Sequence, residues 1–375
     1  MKRTIRIVLA GGGSGGHAYP AIAVVEALCK EFNEAGVPYR FVRMGPRDGY
    51  ETLFENCGVE NAPIAAGKMR AYASVLNFLD APKFAIGFLQ ALWKLFFFMP
   101  DVIFSKGGTG AFPVVAAGHF YRIPIVIHES DAVPGKTNRA SGRYASKIFV
   151  SFPEAARYFD QSKTELSGNP VRAALASFRA EHGAAKESLG FKQSDPLVLV
   201  LGGSQGARRI NLFLLENLGE VVKLAQVLHQ AGVANLAETE RLARAATIDA
   251  GFENRYKAAG FLDKDMPTAL AAADLAVARA GSGTIFELAA FGVPAILIPL
   301  EESANGHQRA NAYAYAEAGA AVVIEEENLL PRIFLDQLRS LLGNEGARAK
   351  MSAAAAKFAA PGAAETVANG ILSLL

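Results

Sequence analysis

Short apolar runs recur along the chain, separated by longer stretches whose apolar residues fall at helical spacing. The runs predict strands at 4–10, 39–44, 101–104, 124–127 and 147–150 in the first half. In the second half they predict strands at 197–201, 222–228, 275–278 and 295–298. Helical patterns fill the gaps, as at 20–34, 72–98, 205–217 and 284–291. Strand–helix alternation of this kind builds α/β units on parallel sheets. The two halves also echo one another. "IRIVLAGGGSGG" and "LVLVLGGSQGAR" are both apolar strands that open into a glycine turn and then a helix. The pattern predicts two Rossmann-like domains, 1–170 and 171–360, joined between "SGNPVR" and the polar stretch before residue 197. The tail "KFAAPGAAETVANGILSLL" reads as a helix broken at Pro361, with 361–375 crossing back onto the first domain. Two such domains with parallel sheets facing a central cleft would place strand ends and helix N-termini on both walls. Ligands of open α/β sheets bind outside the carboxyl ends of the strands. One ligand in each half is the layout of a transferase.

Composition narrows this picture without changing it. A chain of 375 residues, 51% apolar, is long enough for two cores without disulfides or metals. Cys29 and Cys57 are too few for a disulfide framework and suit small core positions in a reducing cytoplasm. The apolar start of "MKRTIRIVLAGGG" is shorter than a signal-peptide core and reads as the first strand. A net charge of +2, with no Lys/Arg track, argues against nucleic acid as a partner. One segment stands out, 83–100, "KFAIGFLQALWKLFFFMP". It is too short to span a bilayer, which takes about 20 apolar residues. Periodicity alone leaves two readings open, a buried helix or a peripheral membrane surface carrying Trp93 and three successive phenylalanines.

The chemistry gathers at strand ends. Gly11, Gly13 and Gly16 fit G-x-G-x-x-G, a turn that lets backbone N–H groups approach a pyrophosphate. A dinucleotide site also wants an acid at the end of the second strand, and "YRFVRMG" has none there. Arg43 keeps a 2′-phosphate, and hence NADP, in play. Two further strand ends carry glycine, "FSKGGTGAFP" with Gly107, Gly108 and Gly110, and "IHESDAVPGKTNR". Three such loops on one sheet edge favour an anion site, with His17, His128 and Glu129 close by, over three ordinary βα turns. In the second half "GGSQGARRIN" and "RAGSGTIFEL" repeat the device. Ser204 and Gln205 can donate to a diphosphate; Ser282, Gly283 and Thr284 open a helix, and Glu287, one turn in, can accept both hydroxyls of a ribose. The bland alternative for Glu287 is an acid in a first helical turn. Zinc-protease, zinc-finger and Walker-type motifs are absent from the sequence. "DKD" at 263–265 imitates a metal-holding acidic pair, but helix capping by Asp265 is the expected role. No metal site is predicted.

Taken in order, "GGGSGGH", "GNPVR", "GGSQGAR", "HQAG", "GFLDKDM", "AGSGTIFEL" and "HQRANA" resemble the MurG family of bacterial glycosyltransferases, family 28, over nearly the whole chain. The resemblance implies a GT-B fold and transfer of N-acetylglucosamine from UDP-N-acetylglucosamine. The implied acceptor is undecaprenyl-diphosphoryl-N-acetylmuramoyl-pentapeptide, the product has an inverted β-1,4 linkage, and the pathway is peptidoglycan synthesis. By motif the donor would meet Ser204 and Gln205 at its diphosphate, Glu287 at its ribose and the backbone around Leu262 at its uracil. Arg172 would lie near the nucleotide, with Ser282, Gly283 and Thr284 at a helix start, and His307, Gln308 and Asn311 would face the sugar. The acceptor's diphosphate would lie on Gly13, Ser14, Gly15, Gly16, Gly107, Gly108, Thr109 and Asp131. The same likeness favours the membrane reading of 83–100, on the cytoplasmic face of the plasma membrane. This chain departs from the family at Thr109, Ala111, Ser130 and Asp131 in the acceptor loops and at Ala280 in the donor half.

Inverting transfer needs a base for the acceptor hydroxyl and stabilisation of the departing diphosphate. His17, whose type titrates near about 6.5, is the expected base, with Glu129 as the alternative or as its orienting partner. No cofactor is expected, and helix N-termini with hydroxyl donors would serve the leaving group. Two rival readings are a UDP-N-acetylglucosamine 2-epimerase of the same architecture, which would use several carboxylates, and a decayed, membrane-associated nucleotide-binding module.

Overall fold

The computed structural model describes residues 3–67, 76–202, 207–303 and 306–375. Contacts divide the chain into Met1–Ala173 with Ala360–Leu375, and Ala174–Ala359. The first unit runs β1 (Ile5–Gly12), α1 (Gly15–Ala35), β2 (Tyr39–Met44), α2 (Glu51–Glu55), β3 (Val59–Asn61), α3 (Leu76–Phe98) and β4 (Val102–Gly108). It continues with α4 (Ala111–Phe120), β5 (Ile125–Glu129), α5 (Lys136–Gly142), β6 (Lys147–Val150) and β7 (Thr164–Leu166). Its sheet has the order β3-β2-β1-β4-β5-β6-β7, every neighbouring pair parallel. Along β1 the side chains alternate between two cores. Ile7 and Leu9 pack with α1 residues such as Ile22 and Leu28, whereas Val8 and Ala10 pack with Ala91, Leu95, Val114 and Val115 of α3 and α4. A strand covered on both faces is apolar throughout, which explains the unbroken runs in the sequence.

A short helix, α6 (Ala173–Ala176), leads into the second unit: α7 (His182–Ser188), β8 (Leu197–Leu201), α8 (Arg208–Glu216), α9 (Leu218–Leu224), β9 (Gln226–Gln230), α10 (Leu236–Ala250) and β10 (Tyr256–Ala259). It ends with α11 (Met266–Ala272), β11 (Leu275–Ala278), α12 (Ser282–Ala290), β12 (Ala295–Leu297), α13 (His307–Glu317), β13 (Ala321–Val323), α14 (Pro331–Gly343) and α15 (Glu345–Phe358). The sheet order is β10-β9-β8-β11-β12-β13, again parallel. After a break at Ala359–Gly362, α16 (Ala363–Leu372) packs on α1 in the first unit, with Gly370 so close to Phe149 that a Cβ there would lie 2.2 Å from its ring.

Two sequence expectations change. The strand placed at 222–228 is in fact the end of α9 followed by β9, because Leu218, Val221 and Val222 are buried at helical spacing and the chain extends only at Ala225. The helix expected over 205–217 ends at Glu216, and its first residues, 205–206, lie outside the described residues, as do 72–75 of the helix expected over 72–98.

One ion pair fastens the start of the second sheet. Asp274 Oδ2 lies 2.7 Å from Lys186 Nζ and accepts from the Leu197 N–H at 2.8 Å, while Oδ1 is 3.3 Å from His182 Nε2. Desolvation pushes the Asp274 carboxyl up, but the hydrogen bonds from His182, Lys186 and Leu197 outweigh it and hold the pKa down, from 3.8 to about 2. A depressed carboxylate stabilises the fold above its unfolded pKa and loses that contribution as pH falls through its folded one. Asp274→Asn is expected to cost about 2–3 kcal/mol at pH 7 by leaving buried Lys186 without its counter-charge. Urea unfolding of the two proteins should show that difference shrinking as pH drops from about 4 toward about 2.

Candidate active site

In the first sheet β1, β4 and β5 are adjacent, so their three following turns stand side by side at the carboxyl edge. The β1 and β4 turns interlock through bare backbone. The ladder slips between Ala10 and Gly11, then pairs Gly11 with Gly107 and Gly12 with Gly108. A Cβ on Gly11 would lie 2.0 Å from the Gly107 carbonyl oxygen, and one on Gly108 would lie 2.2 Å from that of Gly12. Both glycines also have positive φ, 112° and 78°, which other residues rarely adopt. The Thr109 N–H donates to Gly12 O at 3.1 Å, and Thr109 Oγ1 borders Gly13. His17 lies in the first turn of α1, its N–H donating to Ser14 O at 3.0 Å. Its ring rests on Gly108, where a Cβ would come within 2.9 Å of Cδ2. Ser14 is the N-cap of α1, and Gly15 and Gly16 are its first residues. The structure thus brings together His17, Gly13–Gly16, Gly107, Gly108 and Thr109.

Beneath the β1 turn His17 shares a small cavity with Gly11, Gly12, Phe104, Arg43 and Lys106. Arg43 is buried and paired with Asp48, its guanidinium 4.7 Å from the Phe54 ring centre. Asp48 Oδ2 also accepts the Gly13 N–H at 2.8 Å. Arg43 is therefore committed to an internal carboxylate, which removes the sequence's argument for a 2′-phosphate. The sequence does not mark Asp48, because it lies four residues beyond the end of the second strand, outside the position of a ribose-binding acid.

Glu129, at the end of β5, is buried and accepts from the Asp131 N–H at 3.0 Å, the Gly135 N–H at 3.2 Å and Asn138 Nδ2 at 2.9 Å. Three donors make it the organiser of the third loop, and Asp131 is part of that loop. Burial raises its pKa, reinforced by Asp131. His128 is fully buried, and desolvation, then Lys106, holds its pKa well below the usual histidine range. Lys106 lies against it, with its own pKa lowered by burial. In the sequence only its place before the glycine pair of "FSKGG" marks Lys106.

In the second unit Ser282, Gly283 and Thr284 form the first turn of α12, with Glu287 one turn further and half-buried. Asn311 of α13 is fully buried and donates to Ala280 O at 3.2 Å, tying α13 to the turn after β11. His307 begins that helix, and Gln308 Oε1 accepts the Leu300 N–H at 3.0 Å. Gln230, at the end of β9, accepts the Leu262 N–H at 2.8 Å and so fixes the loop after β10. Ser204 and Gln205 lie outside the described residues. Arg172, in the first unit, stacks 4.5 Å from the Tyr19 ring centre. Asp265 is the N-cap residue of α11, but its side chain makes no capping hydrogen bond, contrary to the expected role.

A second surface of the first unit is apolar and open. Ile86, Leu89, Trp93, Phe96 and Phe97 on α3 are 49–68% exposed, joined by Met99 and by Phe120 and Tyr121 at the end of α4. Trp93 and Phe97 touch edge-to-face at 4.7 Å, and Tyr121 Oη donates to Leu92 O at 3.3 Å, so the groups form one stripe. Among the described residues no helix is long and apolar enough to cross a membrane.

Against known proteins, residues 7–150 match the glycosyltransferase family 28 N-terminal domain and residues 197–367 the glycosyltransferase family 28 C-terminal domain. The chain is 34% identical over 348 residues to UDP-N-acetylglucosamine–N-acetylmuramyl-(pentapeptide) pyrophosphoryl-undecaprenol N-acetylglucosamine transferase of Clostridium tetani, covering 92% of this chain and 91% of that one. Its fold is similar to that of MurG from Acinetobacter baumannii, with a TM-score of 0.74 and 26% identity over 98% and 99% of the two chains. A UDP-GlcNAc 2-epimerase from Neisseria meningitidis shares the fold at a TM-score of 0.68 and 12% identity, over 99% and 100% of the chains. With both domain models matched and a relative of such identity along almost its full length, the chain belongs to glycosyltransferase family 28.

Proposed function

We infer that this protein transfers N-acetylglucosamine from UDP-N-acetylglucosamine to undecaprenyl-diphosphoryl-N-acetylmuramoyl-pentapeptide, in peptidoglycan synthesis. The observation that carries the reading is its relationship, over 92% of the chain, to a transferase bearing that name. The first unit would take the acceptor and the second the donor. The acceptor's diphosphate would lie on the β1 and β4 turns, where glycine leaves the backbone accessible and the α1 dipole favours negative charge. His17 is the proposed base for the attacking hydroxyl. Its seat in the first turn of α1, against Gly108, supports this, and the three donors already engaged by Glu129 favour His17 over it. On the donor side Ser282–Thr284 would face the diphosphate, Glu287 the ribose and the Leu262 loop the uracil. The helix N-terminus would stabilise charge as the nucleotide departs, with no cofactor. Ser204, Gln205 and Arg172 join this site by motif, as do His307, Gln308 and Asn311 toward the sugar.

We further propose that the α3 stripe rests on the cytoplasmic face of the plasma membrane, where the acceptor's lipid is anchored. Aromatic side chains suit the bilayer interface, and exposed Lys83 and Arg122 suit anionic headgroups.

His17→Ala should lower turnover about a hundredfold or more while leaving UDP affinity within about twofold. Gly108→Ala should give the same pattern by displacing the ring; wild-type turnover in His17→Ala would remove that residue from the mechanism. For the surface, the pair Trp93→Ala and Phe97→Ala should weaken co-sedimentation with phosphatidylglycerol vesicles by about tenfold or more. Activity on a short-chain, detergent-free acceptor should persist, and unchanged vesicle binding would reject the stripe.

A further inference from the structure

Buried cations elsewhere in this fold have an anion at contact. Lys186 meets Asp274 at 2.7 Å, and Arg43 is paired with Asp48. Lys106, only 4% exposed, is different. Its Nζ lies 2.6 Å from His128 Nδ1 and beside Ser130 Oγ. The polarity of this network is set from its outer ends. His128 Nε2 is 3.0 Å from the Gly168 carbonyl, which only accepts, so Nε2 holds the proton and Nδ1 offers a lone pair. Ser130 Oγ donates to Asn169 Oδ1 at 2.9 Å, which turns an oxygen lone pair toward Lys106. Both neighbours are therefore neutral acceptors awaiting an ammonium. Glu129 and Asp131 act on this ammonium electrostatically, but its contact partners are neutral, and such a buried charge is costly unless an opposite charge comes closer.

The location says where that charge belongs. Lys106 directly precedes Gly107 and Gly108 and shares its cavity with His17, Gly11 and Gly12. Arg43 lines the same cavity, and its buried Nε has no hydrogen-bond partner among the described residues. We propose that Lys106 is the buried counter-charge of a diphosphate diester seated over the α1 N-terminus and the β4 turn. It acts through the field at the turn N–H groups without contact, as a positioning residue. The inference rests on the acceptor reading above.

Burial lowers the Lys106 pKa to about 7, against the upward pull of Glu129 and Asp131. His128 of β5 is at contact, and His17 of α1 and Arg43 of β2 line the same cavity, the last neutralised by Asp48. Of the helices packed on β4, α4 carries His119 at its far end, and α5 carries exposed Lys136 and Arg139. An arriving anion raises the lysine's pKa, so binding takes up a proton. Affinity is then full below the free pKa and falls as pH rises above it.

The test is an NMR titration of the full chain with symmetrical dibutyl diphosphate, a diester whose charge is constant between about pH 6 and about pH 9. Wild-type affinity should fall by about tenfold in all between about pH 6 and about pH 9, and His17→Gln should keep that slope. Lys106→Met should bind about tenfold more weakly at about pH 6 and lose the slope, with the amide spectrum of the first unit otherwise unchanged as proof that it is folded. Ser130→Asp, which supplies an internal carboxylate, should behave likewise and covers the case in which the methionine variant does not fold. A slope that vanishes in His17→Gln, a flat wild-type profile, or wild-type binding by either Lys106 or Ser130 variant overturns the proposal and leaves the acceptor site standing. Failure of the wild-type protein to bind the diester overturns both.

Discussion

The first unit depends on two backbones touching where no side chain fits. Gly11 against Gly107 and Gly108 against Gly12 bring the ends of β1 and β4 closer than any Cβ permits. The approach carries the start of α1 onto the β4 turn and sets the His17 ring on Gly108. It also seals a small space under the turn, lined by His17, Arg43 and Lys106. A side chain at either glycine would push the turns apart and move the histidine with them. Packing and chemistry are thus one constraint, because the interlock that closes the sheet edge also aims the basic groups.

Charge burial follows the same economy of space. With the sheet covered on both faces, polar groups at its carboxyl edge must find partners within the loops. Glu129 is held by two N–H groups and an amide, Arg43 by Asp48, and His128 by a carbonyl and an amine. These bonds cross between neighbouring strands' loops and make the edge rigid. The second unit does the corresponding work with neutral amides. Asn311 bonds the turn after β11, Gln230 the loop after β10 and Gln308 the chain at Leu300. The Arg279–Glu326 ion pair braces the same turn beside these amides, so the start of α12 is held rigidly.

How much of this was legible depended on local signal. Strands at 39–44, 147–150, 197–201 and 275–278 form with the expected ends, because central parallel strands are apolar runs bounded by turns. The strands that the sequence does not mark, β3, β7, β10 and β13, are three or four residues long and form the sheet edges, where polar residues such as Glu60, Glu165 and Lys257 dilute the pattern. The run "VVKLAQVL" hid a helix–strand junction because helix and strand are equally apolar there. At the candidate site the glycine turns were visible in the sequence. The partners of buried charges were not, since Lys106 meets His128 and Ser130 only through the pairing of β4 with β5.

The glycine fingerprint itself shows why letters alone mislead. "GGGSGGH" fits a dinucleotide turn, and the missing piece was an acid after the second strand. An acid is there, a few residues later, but Asp48 turns inward, onto the Gly13 N–H and the Arg43 guanidinium. In a dinucleotide site the acid must stay outside to meet a ribose. Here it belongs to the turn, where it neutralises an arginine and fixes one N–H while α1 begins at Gly15. The same sequence motif therefore presents a helix start with a histidine beside it instead of a ribose clamp. What distinguishes the two is the direction in which one carboxylate points, and that is decided by Arg43, a residue the fingerprint does not contain.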